Sequence, residues 1–234
     1  MKPRRTPGDD GAYVVGVTGG VASGKTTFVD ELARGGAARV IDADRLGHAI
    51  LRRGDVARAL ADAFGDDVLD AQGAVRRDML GPRAFATPDG LARLNAIVHP
   101  PLVAELDRIL AAYARTPFTG LVILDAALLV EWDSGDRCDE VVAVMAPPAT
   151  QVARLVRDRG RSEDEARAIV ERQLPAAVRA AYADIVIEND GTRAEFVRRA
   201  TVADNAIRAR ATAALAARDR VLPPARLPLS DRIG

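Results

Sequence analysis

The sequence is nearly without lysine. Of 33 basic residues in the 234-residue chain, Lys2 and Lys25 are the only lysines and the rest are arginines. A uniform arginine excess reflects genome composition, so a lone internal lysine marks a place that arginine does not fill. Cysteine is almost absent as well. Cys138 alone excludes an internal disulfide framework and a cysteine-based zinc site, and fits a reducing, cytoplasmic setting. Net charge is absent: 33 acidic residues balance the bases. That leaves no global electrostatic case for nucleic-acid or membrane partners. Long apolar runs are missing too. The longest, Leu121 to Val130, is interrupted by Asp125 and is too short to span a bilayer. Residues 1–11, MKPRRTPGDDG, have no apolar segment directly after their basic residues and do not read as a secretory signal; residues 1–12 read as a disordered tail.

What is present is an alternation of short apolar runs and helical patterns. Strands are expected at Tyr13–Val17, Arg39–Ile41, Leu121–Leu124, Glu140–Met145 and Asp184–Ile187. Helical spacing covers Lys25–Arg34, with Gly35-Gly36 as its stop, and Gln151–Arg159. Ser162 and Glu165 form a capping box for a further helix. The stretch from Arg45 to Arg115 reads as mostly helical, broken at Gly54, Gly65, Gly73, Gly81-Pro82, Pro88 and Pro100-Pro101. From Ala194 a helix leads into an Ala/Arg-rich segment and a Pro-rich end. The pattern predicts an α/β fold: a five-stranded parallel sheet flanked by helices, with ligands at the carboxyl edge of the strands.

Gly19-Gly20-Val21-Ala22-Ser23-Gly24-Lys25-Thr26, followed by Thr27, matches G-x-x-x-x-G-K-[ST] between a strand and a helix. Backbone N–H groups in such a loop turn inward around phosphate oxygens, and the following helix adds its positive end. Lys25 is expected at the β and γ phosphates of ATP, and Thr26 at Mg²⁺. The one internal lysine therefore lies where the motif needs a compact point charge. Because no lysine follows it, the guanine-reading Asn-Lys-x-Asp motif of switch GTPases is excluded; Ile187-Glu188-Asn189-Asp190 resembles it only superficially.

Other candidates follow strand ends. Asp42 and Asp44 lie on one side if extended geometry persists, and either an acid that accepts a hydroxyl proton or an ordinary helix cap fits them. Asp125 reads as a magnesium acid acting through water, or as a strand-end turn residue. Arg154, Arg157 and Arg161 recur at i, i+3 and i+7 on one helical face, with Arg159 off it. They suit either a lid that closes over a triphosphate or a solvated basic surface. His99 precedes Pro100, and a single histidine is more often a packing residue than a catalyst.

These motifs, in this order, resemble the dephospho-coenzyme A kinase family: V-G-V-T-G-G-V-A-S-G-K-T-T, I-D-A-D, L-N-A-I-V-H-P, L-D-A-A-L-L-V-E, Q-V-A-R-L-V-R-D-R and I-V-I-E-N-D-G. The resemblance covers about Val14 to Gly191. It implies a P-loop kinase that moves the γ-phosphate of ATP to the 3′-hydroxyl of dephospho-coenzyme A, the last step of coenzyme A synthesis. It further implies one kinase domain over 13–204, with core segments 13–44, 119–149 and 183–204, a helical acceptor region at 45–118, a lid at 150–182, and an extension at 205–234. Asp44 matches the acid that activates the acceptor hydroxyl. Arg77 and His99 match acceptor-side positions, Asp125 the acid of a D-x-P-L-L-F-E segment, and Arg154 and Arg157 lid arginines. A monomer is the favoured state. The chain departs from the family pattern at Ala127 and Val130, where proline and phenylalanine are usual. It also departs at Ala22, where many members have glycine, and at Thr26, where many have serine. The rival readings are a nucleoside or nucleoside monophosphate kinase, an ATP-dependent nucleic-acid-binding regulator, and a nucleotide-binding protein without catalysis.

Overall fold

The computed structural model describes residues 12–115, 118 and 120–221. The expected N-terminal tail, apart from Ala12, and the Pro-rich C-terminal end lie outside them. Five strands, β1 (Tyr13–Gly19), β2 (Ala38–Asp42), β3 (Leu121–Asp125), β4 (Glu140–Met145) and β5 (Ile185–Glu188), form one sheet in the order β2-β3-β1-β4-β5. Every pairing in it is parallel, as the alternating pattern predicts. β1 is central, flanked by β3 and β4, so the chain reverses direction across the sheet beside it. Such a crevice at the strand ends is where ligands bind in open parallel sheets.

Alternation along β1 divides the core. Val15 and Val17 face one side, with Phe28 and Leu32 of α1 (Lys25–Arg34) and Phe196 and Ile207 of α9 (Arg193–Val221). Val14 faces the other side, with Leu106 and Leu110 of α5 (Pro88–Ala114), and with Leu129 and Cys138. Both faces of a parallel sheet are covered by helices, which is why its strands read as continuous apolar runs. α9 passes unbroken through the predicted boundary at 204, because Ile207 and Ala211 are buried in the same core.

A third cluster lies among α2 (Ala43–Ile50), α3 (Gly54–Phe64), α4 (Arg77–Ala84) and α5, built on Ile50, Val56, Leu60, Leu80 and Leu102. Two expected breaks here do not occur. Pro82 lies inside α4, and α5 runs through Pro100-Pro101. Each proline removes an N–H and disfavours the helix. α5 persists because Leu102 is buried in the helical cluster while Leu106 and Leu110 are buried under the sheet, so one continuous rod joins two cores. Pro88 begins α5 instead of interrupting it, and the Thr87 hydroxyl accepts the Gly90 N–H at 3.0 Å. The remaining helices are α6 (Pro148–Arg159), α7 (Glu163–Glu171) and α8 (Ala176–Tyr182). α7 opens on the predicted capping box of Ser162 and Glu165.

Candidate active site

Gly19 to Thr27 line a cleft of about 770 Å³ at the carboxyl ends of β1 and β3. The loop turns through two left-handed residues, Gly24 at φ 101° and Ala22 at φ 55°. Glycine takes such angles freely, whereas an alanine there costs roughly 1 kcal/mol. The loop is held from beneath. The Asn189 side chain donates to Ser23 O at 2.7 Å. Arg154 donates to Ala22 O at 3.0 Å and to Asn189 Oδ1 at 3.0 Å. The Val21 N–H donates to Gln173 Oε1 at 2.6 Å.

Lys25 opens α1 and its ammonium is paired with Asp125 at the end of β3. Only 15% and 16% of the two side chains are exposed. Burial raises the Asp125 pKa, and Asp42 and Asp44 raise it further, while Lys25 pulls it back. Asp125 therefore senses two further carboxylates beside one lysine. The two neighbours differ in position. Extended geometry stops at Asp42, so the expected same-side pairing of Asp42 and Asp44 does not arise. Asp42 is the N-cap of α2 and accepts the Arg45 N–H at 2.9 Å. Asp44, in the first turn, lines the cleft.

The arginines also separate. α6 ends at Arg159, because Gly160 takes a left-handed cap at φ 61°, so Arg161 lies beyond the helix and the i, i+7 face does not form. Arg157 pairs with adjacent Asp158 at 2.7 Å, is 72% exposed, and is not among the residues lining the cleft. Arg154 reaches under the loop, and burial lowers its guanidinium pKa. Arg159, read as off the face, lines the cleft together with Arg172 and Arg179. Arg179 is 6% exposed, donates to Leu174 O at 2.8 Å, and faces Glu131 at 3.4 Å. Their positions depend on packing of α7 and α8, which helical spacing alone does not specify.

The cleft continues into an apolar cavity of about 250 Å³ between α2, α4 and α5. Phe85, Leu128 and Trp132 belong to both spaces. Arg77 stands at the cavity's far side, hydrogen-bonded to His48 Nε2. His48 went unnoticed in the sequence, although it sits four residues after Asp44 and thus on the same helical face. His99 does not reach the cleft; it packs its ring against Trp132 with centroids 5.8 Å apart. Thr18 Oγ1 donates to Ala127 O at 3.2 Å and holds the segment after Asp125, where proline is absent.

Oxygen donors suited to a hard cation are present at Thr26, Asp44 and Asp125. Among the described residues no three His, Cys, Asp or Glu side chains converge on an all-protein metal cage.

The family model described as dephospho-CoA kinase matches residues 13–195. The chain belongs to the dephospho-CoA kinase family. Among its relatives, the dephospho-CoA kinase of Streptomyces avermitilis is 44% identical over 186 residues, 79% of this chain and 89% of that protein. The one from Thermobifida fusca is 42% identical over 183 residues, 78% of this chain and 90% of that one. A solved structure, TT1252 from Thermus thermophilus, superposes with a TM-score of 0.68 at 30% identity, covering 83% of this chain and 97% of that one. The dephospho-CoA kinase from Campylobacter jejuni shares the fold at TM-score 0.55 and 20% identity, covering 84% and 97%. The chain is thus a P-loop kinase. No helix among the described residues is long and apolar enough to cross a membrane.

Proposed function

We propose that this dephospho-CoA kinase family member binds ATP and dephospho-coenzyme A in the one continuous cleft and transfers the γ-phosphoryl group to the ribose 3′-hydroxyl. The acceptor oxygen attacks Pγ as the bond from Pγ to the β-bridging oxygen breaks, and ADP leaves. Asp44 takes the hydroxyl proton. The observation that carries this reading is Asp44 in the cleft lined by the phosphate loop, a cleft that shares Phe85, Leu128 and Trp132 with the apolar cavity.

The loop N–H groups and Lys25 hold the ATP phosphates, and Asp125 orients the lysine. Thr26 and Asp125 would hold Mg²⁺, which when bound neutralises charge on the β and γ phosphates. Arg154 braces the loop, while Arg159, Arg172 and Arg179 supply positive charge along the cleft wall. No role at the reacting phosphate falls to Arg157. The helical cluster of α2 to α5 is the acceptor region. There the apolar cavity takes uncharged parts of the acceptor, and Arg77 with His48 takes its diphosphate. His99 acts through Trp132. Segment 150–182 is the lid, and its closure over ATP excludes water that would otherwise hydrolyse it. The enzyme works as a cytoplasmic monomer without nucleic-acid or membrane partners.

A panel of acceptors with Mg-ATP tests the substrate. Dephospho-coenzyme A is expected to turn over, with nucleosides and nucleoside monophosphates far slower. Turnover of a nucleoside and none of dephospho-coenzyme A would overturn the reading. Asp44→Asn tests the mechanism. kcat is expected to fall by about 10²–10⁴, the usual contribution of a positioned base, and unchanged turnover would remove the role given to Asp44.

A further inference from the structure

The strained alanine of the loop is gripped from two sides. Ala22 is one of two non-glycine residues at positive φ among the described residues. An isolated L-residue leaves that conformation readily, so its persistence needs neighbours that over-determine it. Two side chains do so. Before Ala22, the Val21 N–H donates to Gln173 Oε1 at 2.6 Å. After it, the carbonyl of Ala22 accepts from Arg154 Nη1 at 3.0 Å, and that of Ser23 lies 3.4 Å from the same nitrogen. Arg154 comes from α6, and Gln173 from the link between α7 and α8.

The Gln173 amide is itself oriented. Its Nε2 donates to Val170 O at 3.4 Å, which leaves the oxygen for the loop. It also lies close against Gly20, where an added Cβ would stand 2.9 Å from Gln173 Oε1 and 2.7 Å from Gln151 Nε2. The contact suits an amide better than a carboxylate. A carboxylate there would accept the same N–H but set a negative charge on a loop that faces phosphates.

We propose that Gln173 is a positioning residue for ATP: with Arg154 it clamps the phosphate loop across Ala22, so that loop and lid move as one unit. This rests on the reading that Gly19 to Thr27 hold the ATP phosphates. Where glycine occupies the position of Ala22, the left-handed turn needs no such clamp. The substitution and the glutamine contact are therefore energetically coupled.

The test is a set of variants measured for kcat, KM for each substrate, and equilibrium binding of MgATP. Gln173→Ala is expected to raise KM and Kd for MgATP by about 3- to 10-fold, the range set by one net hydrogen bond. kcat and KM for dephospho-coenzyme A should stay within about twofold, a split that general loosening of the fold would not give. Gln173→Glu keeps size and acceptor, yet should weaken MgATP by about tenfold or more through like-charge repulsion. In an Ala22→Gly background, loss of Gln173 should cost less than half its effect in the parent, as coupled sites require. MgATP affinity within twofold of the parent in Gln173→Ala, Gln173→Glu binding as well as the parent, or additive effects of the two changes would each overturn the clamp. Lys25→Met separates the underlying reading. It should lose MgATP binding, and unimpaired binding would refute phosphate capture by the loop whatever Gln173 does.

Discussion

Gly24→Ala should damage the enzyme in two separable ways. Gly24 caps α1 at φ 101°, where an alanine costs about 1–2 kcal/mol in backbone energy alone. Its Cβ would also lie 2.3 Å from Asn189 Nδ2 and 3.3 Å from Phe196 Cε1. Asn189 is 5% exposed and cannot simply swing into water. Moving it breaks the bond to Ser23 O and disturbs the one from Arg154. Leaving a buried amide unpaired costs about 1–3 kcal/mol. A total near 3 kcal/mol lowers Tm by about 6–12 °C for a domain of this size. Calorimetric melting of the parent, Gly24→Ala, Asn189→Ala and the double variant measures both parts. The double variant should be more stable than the sum of the singles, since removing Asn189 abolishes the clash and leaves the backbone cost added once to the loss of the Asn189 bonds. A Gly24→Ala protein melting within about 2 °C of the parent, or strict additivity, would refute the steric argument.

The two arginines of α6 should differ. Arg154→Gln, which strips the bonds to Ala22 and Asn189, should cut kcat/KM for ATP by about 10- to 100-fold, while exposed Arg157→Gln should stay within about threefold, by steady-state assay. His48→Ala and Arg77→Ala should each raise KM for dephospho-coenzyme A by about tenfold and leave KM for ATP unchanged, because their contacts lie across the apolar cavity from the loop. Asp125 carries a pH signature. Its folded pKa is raised above the unfolded value, chiefly by burial, so its ionisation is opposed in the folded state. Its contribution to stability is then present in full below the unfolded pKa and is lost as pH rises through the folded one. Melting curves of Asp125→Asn against pH should lack that decline, and a decline equal to the parent's would assign it elsewhere.

The parts of the site legible in the sequence are those whose geometry is fixed within a few residues. The phosphate loop needs glycines at set positions, a strand before it and a helix after it, and all are contiguous. The parallel sheet follows from apolar runs alternating with helical ones. Side-chain direction is a different matter. Asp42 and Asp44 are indistinguishable by spacing. Only where β2 stops and α2 starts decides that one caps a helix and the other faces the cleft. Arg154 and Arg157 share a pattern, and only the partners that Arg154 meets far off in sequence, Ala22 O and Asn189 Oδ1, distinguish the one that points inward. Gln173 carries no motif at all; its role depends on a loop 152 residues away in sequence. The lysine count behaves oppositely, since it is global and yet identifies one atom. Lys25 is enclosed with Asp125 under a tight loop, and a guanidinium there would need both more width and a planar set of acceptors. The Lys25→Arg enzyme should for that reason fail even though it keeps the charge. Near-parental turnover in that variant would show that the site demands charge alone, and the scarcity of lysine elsewhere would then carry no information about the loop.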